Sequence, residues 1–170
     1  LAVKGGHVDY GVTSMVAPLR RVAVRAPAPE SDFARAHWAQ PLDIDLLLVQ
    51  HAAFVALLRR LGCEVLELPP LEGLPDSCFT YDPAFTVSDG VITLRAAKEV
   101  RVGEGERLAA DLAAAGVPTI GALSGIATAD GGDMFWLDDV TLAVGRSYRT
   151  NAAAVTQLQE LLRPRGIRVE

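Results

Sequence analysis

Three times along the chain, apolar residues recur at helical spacing, short alternating stretches flank them, and a glycine closes the helical run. Arg21 to Ala26 alternates and predicts a strand, stopped by Pro27 and Pro29. Residues 28–42 read as a linker or a loop over the surface. Asp43 is placed to cap a helix whose Ile44, Leu47, Leu48, His51, Val55 and Leu58 share one face. Gly62 ends that helix, and Cys63 to Leu68 predicts a strand. In the second stretch Ser77 to Val87 and Val91 to Arg95 predict two strands around Ser88-Asp89-Gly90, because Asp-Gly tolerates positive φ. A helix from about Glu104 turns Leu108, Leu112 and Ala115 inward, Gly116 stops it, and Val117 to Ile120 is a short strand. In the third, Met134 to Leu137 and Val140 to Gly145 flank Asp138-Asp139. Thr150 or Asn151 then caps a helix that buries Val155, Leu158, Leu161 and Leu162; Gly166 ends it and Ile167 to Val169 begins a strand.

Gly62, Gly116 and Gly166 lie roughly fifty residues apart, a period at which each unit of an array covers its neighbour's flank. The fold class is therefore α/β, with units at about 21–70, 74–124 and 130–170 behind a lead-in over 1–20. The chain starts on Leu rather than Met, and its last strand is cut short. Both facts lead us to expect a piece of a longer reading frame, or a processed one. The 170 residues suffice for one sizeable core.

Composition narrows the function. Half the residues are hydrophobic and 22% are charged, so the chain is globular rather than disordered. A formal charge of −5 argues against a nucleic-acid surface. No apolar run approaches the roughly 18–20 residues that cross a bilayer, and the opening lacks the apolar core of a signal peptide. Cys63 and Cys78 then read as reduced thiols in a cytoplasmic protein. Neither His-x-x-x-His nor Cys-x-x-Cys occurs, and no Gly-rich phosphate cradle follows a strand, so neither a metal nor a cofactor is expected.

Four carboxylates stand in short apolar or glycine-rich settings: Asp76, Asp82, Asp130 and Asp133. In an extended segment Asp76 and Asp82 have equal parity and share a face with Cys78, roughly 20 Å apart end to end. They are either turn formers or ligands for a cation. In Asp130-Gly131-Gly132-Asp133 the glycines let backbone approach a ligand while the acids face it, or they make a turn and no more. Arg95 and Arg149 end strands or precede caps, where an arginine either clamps a carboxylate or is simply solvated. Acids and arginines at strand ends of successive units would suit a small zwitterion. His51 falls on a helix's apolar face and reads as core, His7 lies in the lead-in and His37 in the linker. Cys63 reads as a small core hydrophobe.

PDSCFTYDPAF, VITLR and DGGDMFWLDDVTLAVGRSYRTN together resemble the first part of the guanidine-modifying penteins. Dimethylarginine dimethylaminohydrolase is the nearest likeness, with arginine deiminases and amidinotransferases more distant. The resemblance runs from about Arg21 to the end and implies a five-bladed α/β propeller of ββαβ modules, about three of them present. It also implies a guanidino amino acid as ligand. Asp76 and Asp82 would hold the guanidinium or amino end, Asp130 would be the catalytic acid that polarises the guanidinium, and Arg95 and Arg149 would take the carboxylate. Tyr81 stands where these hydrolases usually have Glu, which removes one negative charge. The family's nucleophilic Cys and its His would lie beyond Glu170, so the implied reaction, amidine hydrolysis to citrulline plus an amine, needs more than this chain. Amidinotransfer and a non-catalytic propeller module are the alternatives. Uncovered blade flanks lead us to expect self-association or pairing with the remaining portion.

Overall fold

The computed structural model describes Val3–Lys4, His7–Val8 and residues 10–170. Two compact units arise, one from Pro18–Thr80 and the other from Tyr81–Glu170 together with the residues up to Ala17.

In the Pro18–Thr80 unit, strand β3 (Arg21–Arg25) runs parallel to β4 (Glu64–Leu68) in unbroken register from Arg21↔Glu64 to Arg25↔Leu68. Helix α1 (Ile44–Arg60) makes the crossover. Its first turn is closed by Asp43, whose Oδ1 accepts the amide of Leu46 at 2.9 Å. Val55 and Leu58 pack on Val24, with Val22, Cys63 and Val65 around them. Cys63 is thus a packing residue, and its Sγ donates to the Leu19 carbonyl at 3.4 Å. Gly62 takes φ +89° just past the helix, as its place in the repeat required.

Residues 28–42 contain no helix or strand and run over the surface, but several of their side chains anchor them inward. Ala28, Phe33 and Ala36 are buried, and local turns such as Ala36 N–H to Phe33 C=O (3.2 Å) satisfy the backbone.

The second unit holds strands β1 (Val3–Lys4) and β2 (His7–Val8), paired antiparallel, and two copies of one motif. In the first copy β5 (Ala84–Val87) pairs antiparallel with β6 (Gly90–Thr93), helix α2 (Glu104–Ala114) follows, and β7 (Thr119–Ala122) lies parallel to β6. In the second, β8 (Met134–Asp138) and β9 (Thr141–Val144) are antiparallel, α3 (Ala152–Leu162) follows, and β10 (Arg168–Val169) is parallel to β9. One apolar cluster serves both copies: Phe85, Ile92 and Leu94 from the first, Trp136, Leu142, Leu158 and Leu162 from the second. Asp89, in the β5–β6 turn, receives Arg165 Nε on both oxygens at 2.9 Å and ties the copies together.

Several local expectations are corrected. Ser77 to Pro83 is a run of turns, and the strand starts only at Ala84. Ser77 and Phe79 donate their amides to Leu74 and Asp76, partners three residues back, while Pro75 and Pro83 can donate to no ladder. The shared face proposed for Asp76, Cys78 and Asp82 therefore does not exist. Gly90 is required less by the turn than by its neighbour: with φ +152°, a Cβ there would stand 2.2 Å from the Pro118 carbonyl oxygen. Ala115 is the exposed cap of α2 and not part of its inner face. Asn151, not Thr150, caps α3, accepting the amide of Ala154 at 3.0 Å.

Leu158 is fully enclosed in the shared cluster. Leu158→Ala should cost about 3 kcal/mol through lost burial and the cavity left behind. A urea titration checks this, and a midpoint within error of the parent would place Leu158 outside the core.

Candidate functional site

The polar centre of the second unit is assembled from loops at equivalent places in its two copies. Asp82 precedes β5, and Asp130 precedes β8 across a single turn of Gly131–Asp133. Arg101 ends a short 3-10 turn before α2, and Arg149 lies in the loop before α3. Each acid precedes its arginine by nineteen residues, and each pair is bonded: Arg101 Nη1 to Asp82 Oδ2 at 2.6 Å, Arg149 Nη1 to Asp130 Oδ2 at 3.1 Å. The copies also meet, since Arg101 Nη1 stands 3.9 Å from Asp130 Oδ2.

Arg101 is buried, and Glu104, the first residue of α2, fixes its fork. Nε and Nη2 both donate to Glu104 Oε2, at 2.9 and 2.7 Å. Burial by itself disfavours this charge, but the hydrogen bonds and charges of Glu104 and Asp82 outweigh it and hold the guanidinium protonated more firmly than usual. Asp130 goes the other way. Burial pushes its carboxyl above the usual range; the Gly132 amide, bonded at 2.8 Å, pulls it down, the charge of Asp82 adds to the rise, and Arg149 and Arg101 offset part of it.

Asp133 has a different task. Its Oδ2 accepts the hydroxyls of Ser147 and Thr150, both at 2.7 Å, and its Oδ1 receives Arg149 Nη2 at 3.4 Å. Burial raises its carboxyl, but the bonds from Thr150 and Ser147 and the charge of Arg149 win, so it titrates below the usual range. Asp133 thus shapes the loop that carries Arg149. Thr150, fully buried, in turn accepts the Asp130 amide at 3.2 Å. The first glycine between the two acids is sterically required. Gly131 N–H donates to Asp82 C=O at 2.9 Å, and a Cβ on Gly131 would come 2.0 Å from the Tyr81 carbonyl oxygen.

Of the residues singled out in the sequence, Asp82, Asp130 and Arg149 are brought together here. Arg95 follows β6 with an exposed side chain and no bond to these acids; its carbonyl accepts the Ala129 amide at 2.9 Å. Asp76 belongs to the Pro18–Thr80 unit, where it is buried and accepts Trp38 Nε1 at 2.6 Å. Trp38 also packs between Phe33 and Phe79, with centroids 5.0 and 5.6 Å away. Tyr81 is half-exposed and donates its hydroxyl to Met134 C=O at 3.3 Å. Burial, then the charge of Asp82, raises its phenol. Among the described residues no group of three or more His, Cys, Asp or Glu is arranged to hold a metal.

Four carboxylates (Asp82, Glu104, Asp130, Asp133) face two guanidiniums, leaving the cluster two charges negative. Such a centre can take up a further cation, and the groups already docked on its acids are guanidiniums. Arg149 is the adjustable member: its side chain is 39% exposed and its buried Nε has no partner among the described residues.

Arg101 goes unnoticed in the sequence, and Glu104 reads only as the start of a helix. The signal available was the repeat itself, because the Asp130–Arg149 spacing applied to Asp82 lands on Arg101.

The depressed Asp133 carboxyl stabilises the fold above the ordinary carboxylate pKa, and that contribution is lost as pH falls through its own lower value. Asp133→Asn should therefore lower stability by about 1–3 kcal/mol at pH 7. The deficit against the parent should shrink below about pH 4. Thermal unfolding across pH checks this, and a deficit that persists at low pH would contradict it.

Comparisons with known proteins place the chain in a family. Residues 21–169 match the family model described as N,N dimethylarginine dimethylhydrolase, eukaryotic. The N(G),N(G)-dimethylarginine dimethylaminohydrolase of Streptomyces coelicolor is 33% identical over 154 residues, which cover 89% of this chain and 59% of that protein. Its namesake in Pseudomonas aeruginosa is 28% identical over 150 residues, covering 87% and 58%. A solved structure of a P. aeruginosa mutant complexed with citrulline superposes with a TM-score of 0.77 at 25% identity, over 89% of this chain and 60% of that one. The chain thus spans about three-fifths of the length of these relatives. On the family model and these likenesses, the chain belongs to the dimethylarginine dimethylaminohydrolase family and has the α/β pentein fold.

Proposed function

We propose that this chain supplies the substrate-binding half of an amidine hydrolase that converts a dimethylarginine-like amino acid to citrulline and an amine. The observation that carries the reading is the convergence of Asp82 and Asp130 on one guanidinium nitrogen, that of Arg101. Two acids held that way can grip a substrate guanidinium and draw positive charge onto the carbon to be attacked. Asp130 is the catalytic acid in this account and Asp82 its partner. Arg149 swings from Asp130 to the substrate carboxylate. Asp76 and Arg95 are given the amino end and the carboxylate by resemblance alone.

The chemistry itself is a thiolate attack on the guanidinium carbon. The amine leaves with a proton from a histidine, and water then cleaves the thiol–carbon bond to release citrulline. We assign that cysteine and histidine to sequence other than these 170 residues, which would make the chain alone inactive. Cys63 is committed to packing, and Cys78 sits in a turn. We read β3–α1–β4 and the two ββαβ copies as modules at about 21–70, 74–124 and 130–170 of a five-module propeller. The coverage of 59% of the Streptomyces relative suits three modules of five. The rest of that ring would pair with this portion. No helix among the described residues is long and apolar enough to cross a membrane, and we place the enzyme in the cytoplasm.

In the full reading frame, Asp130→Asn should lower citrulline formation from dimethylarginine by about 10²–10³-fold; unchanged turnover would remove Asp130 from the mechanism. The elevated Asp130 carboxyl also sets a pH limit. It protonates, and loses its hold on a guanidinium, at a higher pH than an ordinary aspartate. The acid limb of kcat/KM should lie above the usual carboxylate range. A limb at or below that range would separate it from Asp130.

A further inference from the structure

The two glycines between Asp130 and Asp133 are alike in the sequence and unlike in their surroundings. Gly131 is buried, and a Cβ on it would collide with the Tyr81 carbonyl oxygen at 2.0 Å. That oxygen belongs to the main chain and cannot turn aside, so the fold itself demands glycine at 131. Gly132 is exposed, and its φ lies outside the left-handed range that favours glycine. Its amide donates to Asp130 Oδ1 at 2.8 Å, a bond that any residue except proline could supply. The backbone would therefore accept a side chain at 132.

What that side chain would meet points to binding. The three atoms nearest the place of a Cβ on Gly132 are all polar ends of the acid–arginine centre. Asp130 Oδ1 lies 3.0 Å away, and Arg149 Nη2 and Asp82 Oδ1 each lie 3.7 Å away. None of the three is main chain. Both carboxylates bring their Oδ1 to this point, whereas Arg101 holds Asp82 and Arg149 holds Asp130 through Oδ2. The gap thus has two acceptors beside it and a guanidinium nitrogen within van der Waals reach, with no side chain of residue 132 inside it. A guanidinium is flat and carries its donors in its own plane, so a narrow gap between carboxylates suits it, provided that nothing projects there. We infer that Gly132 is a specificity-determining residue for the guanidine end of the substrate: its missing side chain keeps open the gap between Asp82 and Asp130 that a flat guanidinium enters. This rests on the amidine hydrolase reading above and names what sets the clearance of its site.

The full reading frame, as parent, Gly131→Ala, Gly132→Ala and Gly132→Val, tests it with dimethylarginine. Gly132→Ala should raise KM about tenfold, the order of effect of one extra methyl in a fitted pocket. Gly132→Val, with more bulk in the same gap, should raise it about 10²-fold. Gly132→Ala should melt at or above the parent temperature, since a compatible side chain in place of glycine restricts the unfolded chain. Gly131→Ala should melt lower. Weaker binding without weaker folding is a result that a purely structural glycine would not give. If the parent forms citrulline and both Gly132 variants keep its KM, the inference falls and the activity stands. If Gly132→Ala melts as low as Gly131→Ala, the glycine is structural and the inference falls as well. Should the parent form no citrulline, isothermal titration with dimethylarginine reads the same variants. Weaker binding by Gly132→Val than by the parent then upholds the inference while the activity reading fails. Equal binding by the two, or none by the parent, overturns the inference.

Discussion

The guanidinium of Arg101 is the interaction on which the second unit's polar centre depends. It is a buried charge, tolerable because three of its nitrogens are hydrogen-bonded, two to Glu104 and one to Asp82. Taking one partner from such a pair typically costs about 3–5 kcal/mol, since the other charge stays buried without its counterpart. Arg101 also offsets part of the rise that burial and the charge of Asp82 cause in the Asp130 carboxyl. The charge that stabilises the loops is therefore the one that lets two acids share a site.

Acids close together in the sequence have been given opposite properties by their surroundings. The Asp130 carboxyl is raised chiefly by burial and then by the charge of Asp82, which outweigh the Gly132 amide bond and Arg149. Asp133 has two hydroxyl donors and an arginine, and its carboxyl is lowered. Gly131 and Gly132 make this division possible: the turn that separates the two side chains passes so close to the Tyr81 carbonyl that no side chain fits at 131. Placing an acid with a raised pKa beside one with a lowered pKa is a recurrent way of dividing chemistry from structure.

Much of the architecture was legible because its causes are local. Periodicity found α1, α2 and α3, and Gly62, Gly116 and Gly166 marked their ends; all three take the left-handed conformation for which glycine is suited. The 77–83 segment was misread because its alternating composition suits a strand, whereas Pro75, Pro83 and turn hydrogen bonds decide otherwise. In the site, Asp82, Asp130 and Arg149 were visible as motif members, but Arg101 and Glu104 were not. A buried Arg–Glu pair at a helix start is indistinguishable in sequence from a solvated one, and only tertiary enclosure separates the two. Trp38 was hidden for a related reason: its link to Asp76 spans 38 residues of chain.

Arg149 has a consequence of its own. With its guanidinium beside Asp130, the resting centre already holds a copy of the group its acids are suited to receive. On the proposed function, entry of a substrate guanidinium would be an exchange rather than an addition: one would leave Asp130 as the other arrived, and the local sum of charges there would be unchanged. Mobile ions would weaken the departing and the arriving contact alike, so on that reading occupancy of Asp130 would depend little on ionic strength. Selectivity among guanidines would then rest on shape and on the hydrogen bonds each can replace.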